Sequence, residues 1–142
     1  MKNVIFVCTG NTCRSPMAQG ICEKICFDER IPVRVDSAGL SVKAGEPASQ
    51  NAVIACREIG ADISRHRAVD VRDFDLSLYD AVYTMSQRHK NALIALGANP
   101  YKIWVLATED GGIPDPYGGD LDLYRQCRDE LYKAVKISIE EL

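Results

Sequence analysis

The sequence predicts an α/β fold, a doubly wound four-stranded parallel sheet with helices on both faces. Three observations predict it. Short runs rich in β-branched and aromatic residues alternate with longer segments whose apolar residues recur at helical spacing, the pattern of parallel strands joined by right-handed crossovers. The first run, Val4-Ile5-Phe6-Val7, reads as a buried strand. It ends in a tight loop and a helix start, Cys8-Thr9-Gly10-Asn11-Thr12-Cys13-Arg14-Ser15-Pro16, and doubly wound sheets bind ligands beyond the carboxyl ends of their strands.

The elements follow in order. Gly10 and Asn11 permit the backbone angles of a tight loop, and Ser15-Pro16 reads as an N-cap followed by a favoured first helical residue. Met17, Ala18, Ile21, Cys22, Ile25 and Cys26 then form the apolar stripe of a helix that ends near Arg30. A second strand is expected from Val33 to Ser37, and a helix from Ala48 to Ile59. A third strand runs from Tyr79 to Thr84, a helix from Gln87 to Leu96, and a fourth strand from Lys102 to Leu106. Leu121 to Ile139 reads as a long closing helix. Between them, Ala107 to Asp120 is rich in turn formers and leaves the fourth strand, so it is placed to fold over the sheet edge that presents Cys8.

With 142 residues, 46% apolar and 26% charged, the chain is expected to form one domain spanning 1–142. A net charge of −3 argues against a general nucleic-acid binder. No apolar run reaches membrane-spanning length and the first residues lead directly into a strand, so a cytoplasmic monomer that contacts neither nucleic acid nor membrane is expected. Six irregularly spaced cysteines do not resemble a secreted disulfide scaffold. Cys22 and Cys26 lie four apart, but neither His66 nor His89 has the spacing of a second half-site, so no metal is called for and their packing as small apolar thiols is the simpler reading.

The loop carries the chemistry. The spacing of Cys8 and Arg14 means little alone; what gives it force is its place between a strand and a helix. Helix N-terminal amides lack internal partners and carry the positive dipole end, so with the loop amides they attract an anion. A thiolate at Cys8 shares that stabilisation and is expected to titrate below an ordinary cysteine. Arg14 offers a planar fork that matches two oxygens of a phosphoryl group. The residues between, Thr9, Gly10, Asn11, Thr12 and Cys13, are expected to line the anion. The chain has neither a Gly-Lys-Ser/Thr nucleotide loop nor a Gly-x-Gly-x-x-Gly dinucleotide turn. A thiolate that attacks phosphorus also needs an acid for the leaving group. Asp115, stiffened between Pro114 and Pro116, is the candidate; an ordinary Asp-Pro turn is the alternative, and Asp110 and Asp120 compete with it.

From Cys8 to Ser15 and on to Asp115-Pro116, the chain resembles the low-molecular-weight protein tyrosine phosphatase family. Asp36-Ser37-Ala38-Gly39 and Ile63-Ser64-Arg65-His66-Arg67-Ala68 match its framework segments. The resemblance implies that Cys8 is the nucleophile, Arg14 the phosphate clamp and Asp115 the general acid, without a cofactor. It implies further that Ser15 donates to the Cys8 thiolate while Asn11, Ser37 and His66 brace the loop; without it, His66 reads as a surface or capping residue. Thr12, where tyrosine phosphatases usually carry an aliphatic residue, and Tyr117 followed by Gly118-Gly119 resemble the bacterial protein arginine phosphatase branch. Phosphorylated proteins, phosphoarginine before phosphotyrosine, are the implied substrates, and Tyr117 is expected beside them. The resemblance also favours a reversible Cys8-Cys13 disulfide over simple packing of Cys13. A thioredoxin-coupled arsenate reductase and a non-catalytic phosphoprotein-binding module are the alternatives. The first needs relay thiols that the stretch from Tyr79 to Leu96 lacks, and the second leaves Cys8 and Asp115 without a purpose.

Overall fold

The structure, a computed structural model, describes residues 1–106 and 112–142; Asp110, one competitor for the acid role, lies outside them. A central β1 (Lys2–Cys8) is flanked by β2 (Val33–Gly39) on one side and by β3 (Ala81–Thr84) and then β4 (Ile103–Val105) on the other. All three pairings are parallel, giving the order β2-β1-β3-β4. The helices are α1 (Arg14–Glu29), α2 (Gln50–Arg57), α3 (Gln87–Ala95) and α4 (Leu121–Glu140).

The apolar character of the first run follows from burial on both faces of the sheet. Val4, Phe6 and Cys8 join a core with residues of α1, α2 and α4, whereas Ile5 and Val7 pack with Val71, Tyr79 and Leu93 on the opposite face. Each such large side chain stabilises the fold by about 1.5–3 kcal/mol relative to exposure. Because β2 and β3 lie on opposite sides of β1, the loop after β1 opens at the point where the winding reverses. Cys8 therefore sits at the switch point of the doubly wound sheet.

The elements depart from the sequence reading at their ends, for local reasons. α1 begins at Arg14, with Cys13 as an N-cap that makes no side-chain capping bond, so Ser15 is not the cap. Its hydroxyl turns back to the loop instead. α2 is shorter than Ala48 to Ile59 because Ser49 caps it, accepting a hydrogen bond from the Ala52 amide at 3.4 Å. β3 starts two residues after Tyr79, whose hydroxyl donates across to Asp36 at 2.6 Å. Asn11 takes the left-handed conformation at φ 55°, but Gly10 does not adopt a positive φ.

Candidate active site

The loop from Cys8 to Ser15 is organised around the wholly buried Asn11. Its side-chain amide donates to the Ser15 hydroxyl at 2.7 Å and the Ser37 hydroxyl at 3.1 Å, while its Oδ1 accepts from the Val69 amide at 3.0 Å. Its carbonyl oxygen lies 2.6 Å from His66 Nε2. Ser37 passes its own proton to Gln19 Oε1 at 2.8 Å. A left-handed residue costs energy unless its surroundings over-determine it, and here four residues from three segments hold it. The sequence-predicted set Asn11, Ser15, Ser37 and His66 is thus brought together, with Gln19 and Val69 added.

Cys8 lies under this hub, 3% exposed. Its Sγ is 2.9 Å from the Ser15 hydroxyl and accepts from the Asn11 amide at 3.3 Å. Burial nevertheless pushes the thiol above its ordinary value, and the bonds from Ser15, the loop amide of Asn11 and the charge of Arg14 pull against it without prevailing. This corrects the expectation of a depressed thiol: desolvation, which spacing cannot show, is the largest influence. The groups that favour the thiolate are all in place, and they act on a sulfur more deeply buried than expected.

Arg14, 6% exposed, anchors its guanidinium by donating from Nη1 to the Ile113 carbonyl at 3.0 Å. Its Nη2 is 3.6 Å from Asp115 Oδ2. The segment carrying Asp115 is fastened beside β3 by the bond from the Ile113 amide to the Met85 carbonyl at 2.8 Å. Asp115 in turn accepts from the Tyr117 amide at 3.1 Å, an Asx turn that aims its half-exposed carboxylate. Asp120 is used elsewhere, as the N-cap of α4 bonded to the Leu123 amide at 2.9 Å. Cys8, Thr9, Gly10, Asn11, Thr12, Cys13, Arg14, Asp115 and Tyr117 line one cleft of about 300 Å³. Cys13 Sγ lies 3.3 Å from the Tyr124 hydroxyl, 3.6 Å from Ser49 Oγ and 3.8 Å from Thr12 Oγ1.

Several residues of the site escaped sequence reasoning. Ser41, Lys43 and Glu46 complete the rim from the segment after β2, with no motif to mark them. His89, 1% exposed in the first turn of α3, lies with Nε2 2.8 Å from Thr9 Oγ1. A lone histidine eighty residues downstream carries no local signal for this contact. Gly39 carries no sequence signal beyond its framework segment, yet a Cβ there would strike Val42 and approach the Thr9 carbonyl at 2.7 Å. Among the described residues no cluster of three or more His, Cys, Asp or Glu side chains could hold a metal ion.

A parallel sheet with a Cys-x5-Arg loop at its switch point defines a class of protein, and comparison with known families specifies it. Residues 3–142 match the family described as low molecular weight phosphotyrosine protein phosphatase, and the chain belongs to that family of hydrolases. A protein-arginine-phosphatase of Bacillus subtilis (strain 168) is 34% identical over 146 residues, which span 99% of this chain and 96% of that protein. The crystal structure of a low molecular weight protein tyrosine phosphatase from T. tengcongensis superposes with a TM-score of 0.94 at 38% identity, covering 100% of both chains. A mutant YwlE arginine phosphatase with a phosphorylated active-site serine superposes with a TM-score of 0.88 at 33% identity, covering 99% of this chain and 95% of that one.

Proposed function

We propose that this chain removes phosphate from phosphoarginine side chains of proteins through a cysteinyl-phosphate on Cys8. One observation carries the proposal: a buried cysteine and a buried arginine share a cleft with Asp115, which is 3.6 Å from that arginine, and Thr12 forms part of the wall. Loop amides, the α1 N-terminus and Arg14 hold the equatorial oxygens while the Cys8 thiolate attacks in line. The S–P bond forms, the P–N bond breaks, and Asp115 delivers its proton to the departing guanidino nitrogen. Asp115, now ionised, then takes a proton from the water that attacks phosphorus, so the S–P bond breaks, orthophosphate leaves and the thiolate is restored.

Substrate choice rests on the walls. A phosphotyrosine ring gains most from apolar surroundings, whereas a guanidinium needs acceptors. Thr12 supplies a hydroxyl, and Asp115 and Glu46 supply carboxylates around the same cleft. The curated relative named above is a protein-arginine-phosphatase, which supports the same reading.

Oxidation is proposed as a reversible off-switch. A peroxide would oxidise the Cys8 thiolate to a sulfenic acid, and the Cys13 thiol, which must first leave Ser49 and Tyr124, would form the S–S bond as the S–O bond breaks and water departs.

The test is phosphate release from phosphoarginine and phosphotyrosine proteins side by side under reducing conditions, with Cys8→Ser as control. An arginine preference abolished by Cys8→Ser is expected. A tyrosine preference would reassign the substrate, and no turnover of either would overturn the proposal.

A further inference from the structure

Thr9, His89 and Ser86 form a chain of hydrogen bonds that leads from the start of α3 into the active-site loop, and the steps above make no use of it. His89 Nε2 is 2.8 Å from Thr9 Oγ1, and His89 Nδ1 is 3.0 Å from Ser86 Oγ. The Ser86 oxygen also accepts from the His89 backbone amide at 3.3 Å, as the N-cap of α3. The Ser86 oxygen keeps a second lone pair, so its hydroxyl either donates to His89 Nδ1 or accepts from it, according to the ring's tautomer. The donating arrangement fixes the ring. With Nδ1 accepting, the proton resides on Nε2 and is donated to Thr9 Oγ1. Thr9 then has its oxygen occupied and its own hydroxyl proton free, and Thr9 lines the cleft with Cys8 and Arg14.

We propose that Ser86 and His89 are positioning residues that lock the tautomer which turns the Thr9 hydroxyl proton into the cleft, making Thr9 an additional oxyanion donor. The inference rests on the phosphatase reading and specifies how one wall residue of that site is armed. A cationic imidazole keeps the Nε2 donor but loses the Nδ1 acceptor, so Ser86 selects the tautomer only while the ring is neutral. Burial keeps the ring neutral down to about 4, assisted by the nearby charges of Arg14 and Arg88 and opposed by that of Asp115. Thr9 is further fixed through its backbone, whose carbonyl accepts from the Ser41 amide at 2.9 Å, so its hydroxyl is the main freedom left to be set.

The test combines tautomer, binding and turnover. Imidazole nitrogen NMR of the full chain at pH 7 should show His89 protonated at Nε2 and bare at Nδ1; the opposite tautomer overturns the proposal. Thr9→Val should weaken inorganic phosphate binding and lower kcat by roughly tenfold or more, the scale at which lost oxyanion donors are felt, while Thr9→Ser retains both. His89→Leu should match Thr9→Val, and the double variant should be no worse than either, because both remove one donor. Should His89→Leu not fold, His89→Gln, which keeps an N–H toward Thr9, serves in its place and should retain phosphate affinity. Phosphate affinity unchanged in Thr9→Val overturns the relay and leaves the phosphatase reading intact. A wild type that binds phosphate through Thr9 but turns over no phosphorylated substrate overturns that reading and leaves the relay standing.

Discussion

Ser15 shows how one hydroxyl serves both structure and chemistry. The sequence marks it as the cap of α1, yet it sits inside the first turn, 2.9 Å from Cys8 Sγ and 2.7 Å from the Asn11 side-chain nitrogen. Since Ser15 pulls the thiol down against burial, Ser15→Ala should raise the Cys8 pKa further. The thiolate is the reactive form, so below that pKa the variant holds less of it, and its deficit shrinks as pH rises. Alkylation of Cys8 followed against pH should show a curve displaced to higher pH; an undisplaced curve would remove Ser15 from thiolate stabilisation. Asp115→Asn should lower kcat by roughly 10²–10⁴-fold, the usual worth of a positioned acid, with the larger loss on substrates with poorer leaving groups. Uniform loss across leaving groups would contradict an acid role. For specificity, Thr12→Ile should raise tyrosine relative to arginine phosphatase activity, and an unchanged ratio would acquit Thr12. Side chains inside the contiguous segment from Cys8 to Ser15 were legible because sequence proximity ensures spatial proximity. His89, Glu46 and the depth of Cys8 were not, since each depends on how distant segments close over the loop.

At the scale of elements, the end of β2 holds the loop as firmly as the loop holds itself. Gly39 pairs with Cys8 across the parallel ladder, and its amide donates to the Val69 carbonyl at 2.9 Å. A methyl group there would collide with Val42 and press the Thr9 carbonyl. Gly39→Ala should therefore cost about 1–3 kcal/mol in urea unfolding, the usual range for overpacking, and lower activity as the loop shifts. Gly10→Ala, whose Cβ would meet nothing nearer than Thr12 Oγ1 at 3.8 Å, should change stability by less than about 0.5 kcal/mol. Equal losses would mean that the close approach at Gly39 is relieved elsewhere. Strand and helix identities were readable because periodicity reports burial directly, as Ile5 and Val7 on one face and Phe6 and Cys8 on the other illustrate. Element ends were less so: Tyr79 belongs to the β-rich run, yet its hydroxyl is committed to Asp36 and the ladder starts after it.

For the whole molecule, buried neutral histidine ties stability to pH. His89 falls from the ordinary 6.5 to about 4 in the folded chain, and burial also lowers His66. The unfolded chain therefore binds protons below 6.5 that the folded chain refuses until about 4, so stability present above 6.5 is lost as pH drops through that window. His89 alone accounts for a loss on the order of 3 kcal/mol. Urea unfolding at pH 7 and pH 4.5 should show a smaller acid loss in His89→Gln than in wild type; identical losses would contradict the burial of a neutral ring. Because the loop amides, the α1 N-terminus and Arg14 already meet the phosphoryl charge, EDTA should leave turnover unchanged, and inhibition by it would point to a metal the proposed steps do not include. The central claim, covalent catalysis by Cys8, is tested most directly by quenching the enzyme in acid during turnover of a phosphoarginine protein and locating the phosphoryl group by mass spectrometry. One phosphoryl group on the Cys8 peptide is predicted, absent from substrate-free enzyme. Active enzyme that carries no phosphoryl group on Cys8, or carries it on another residue, would contradict the account.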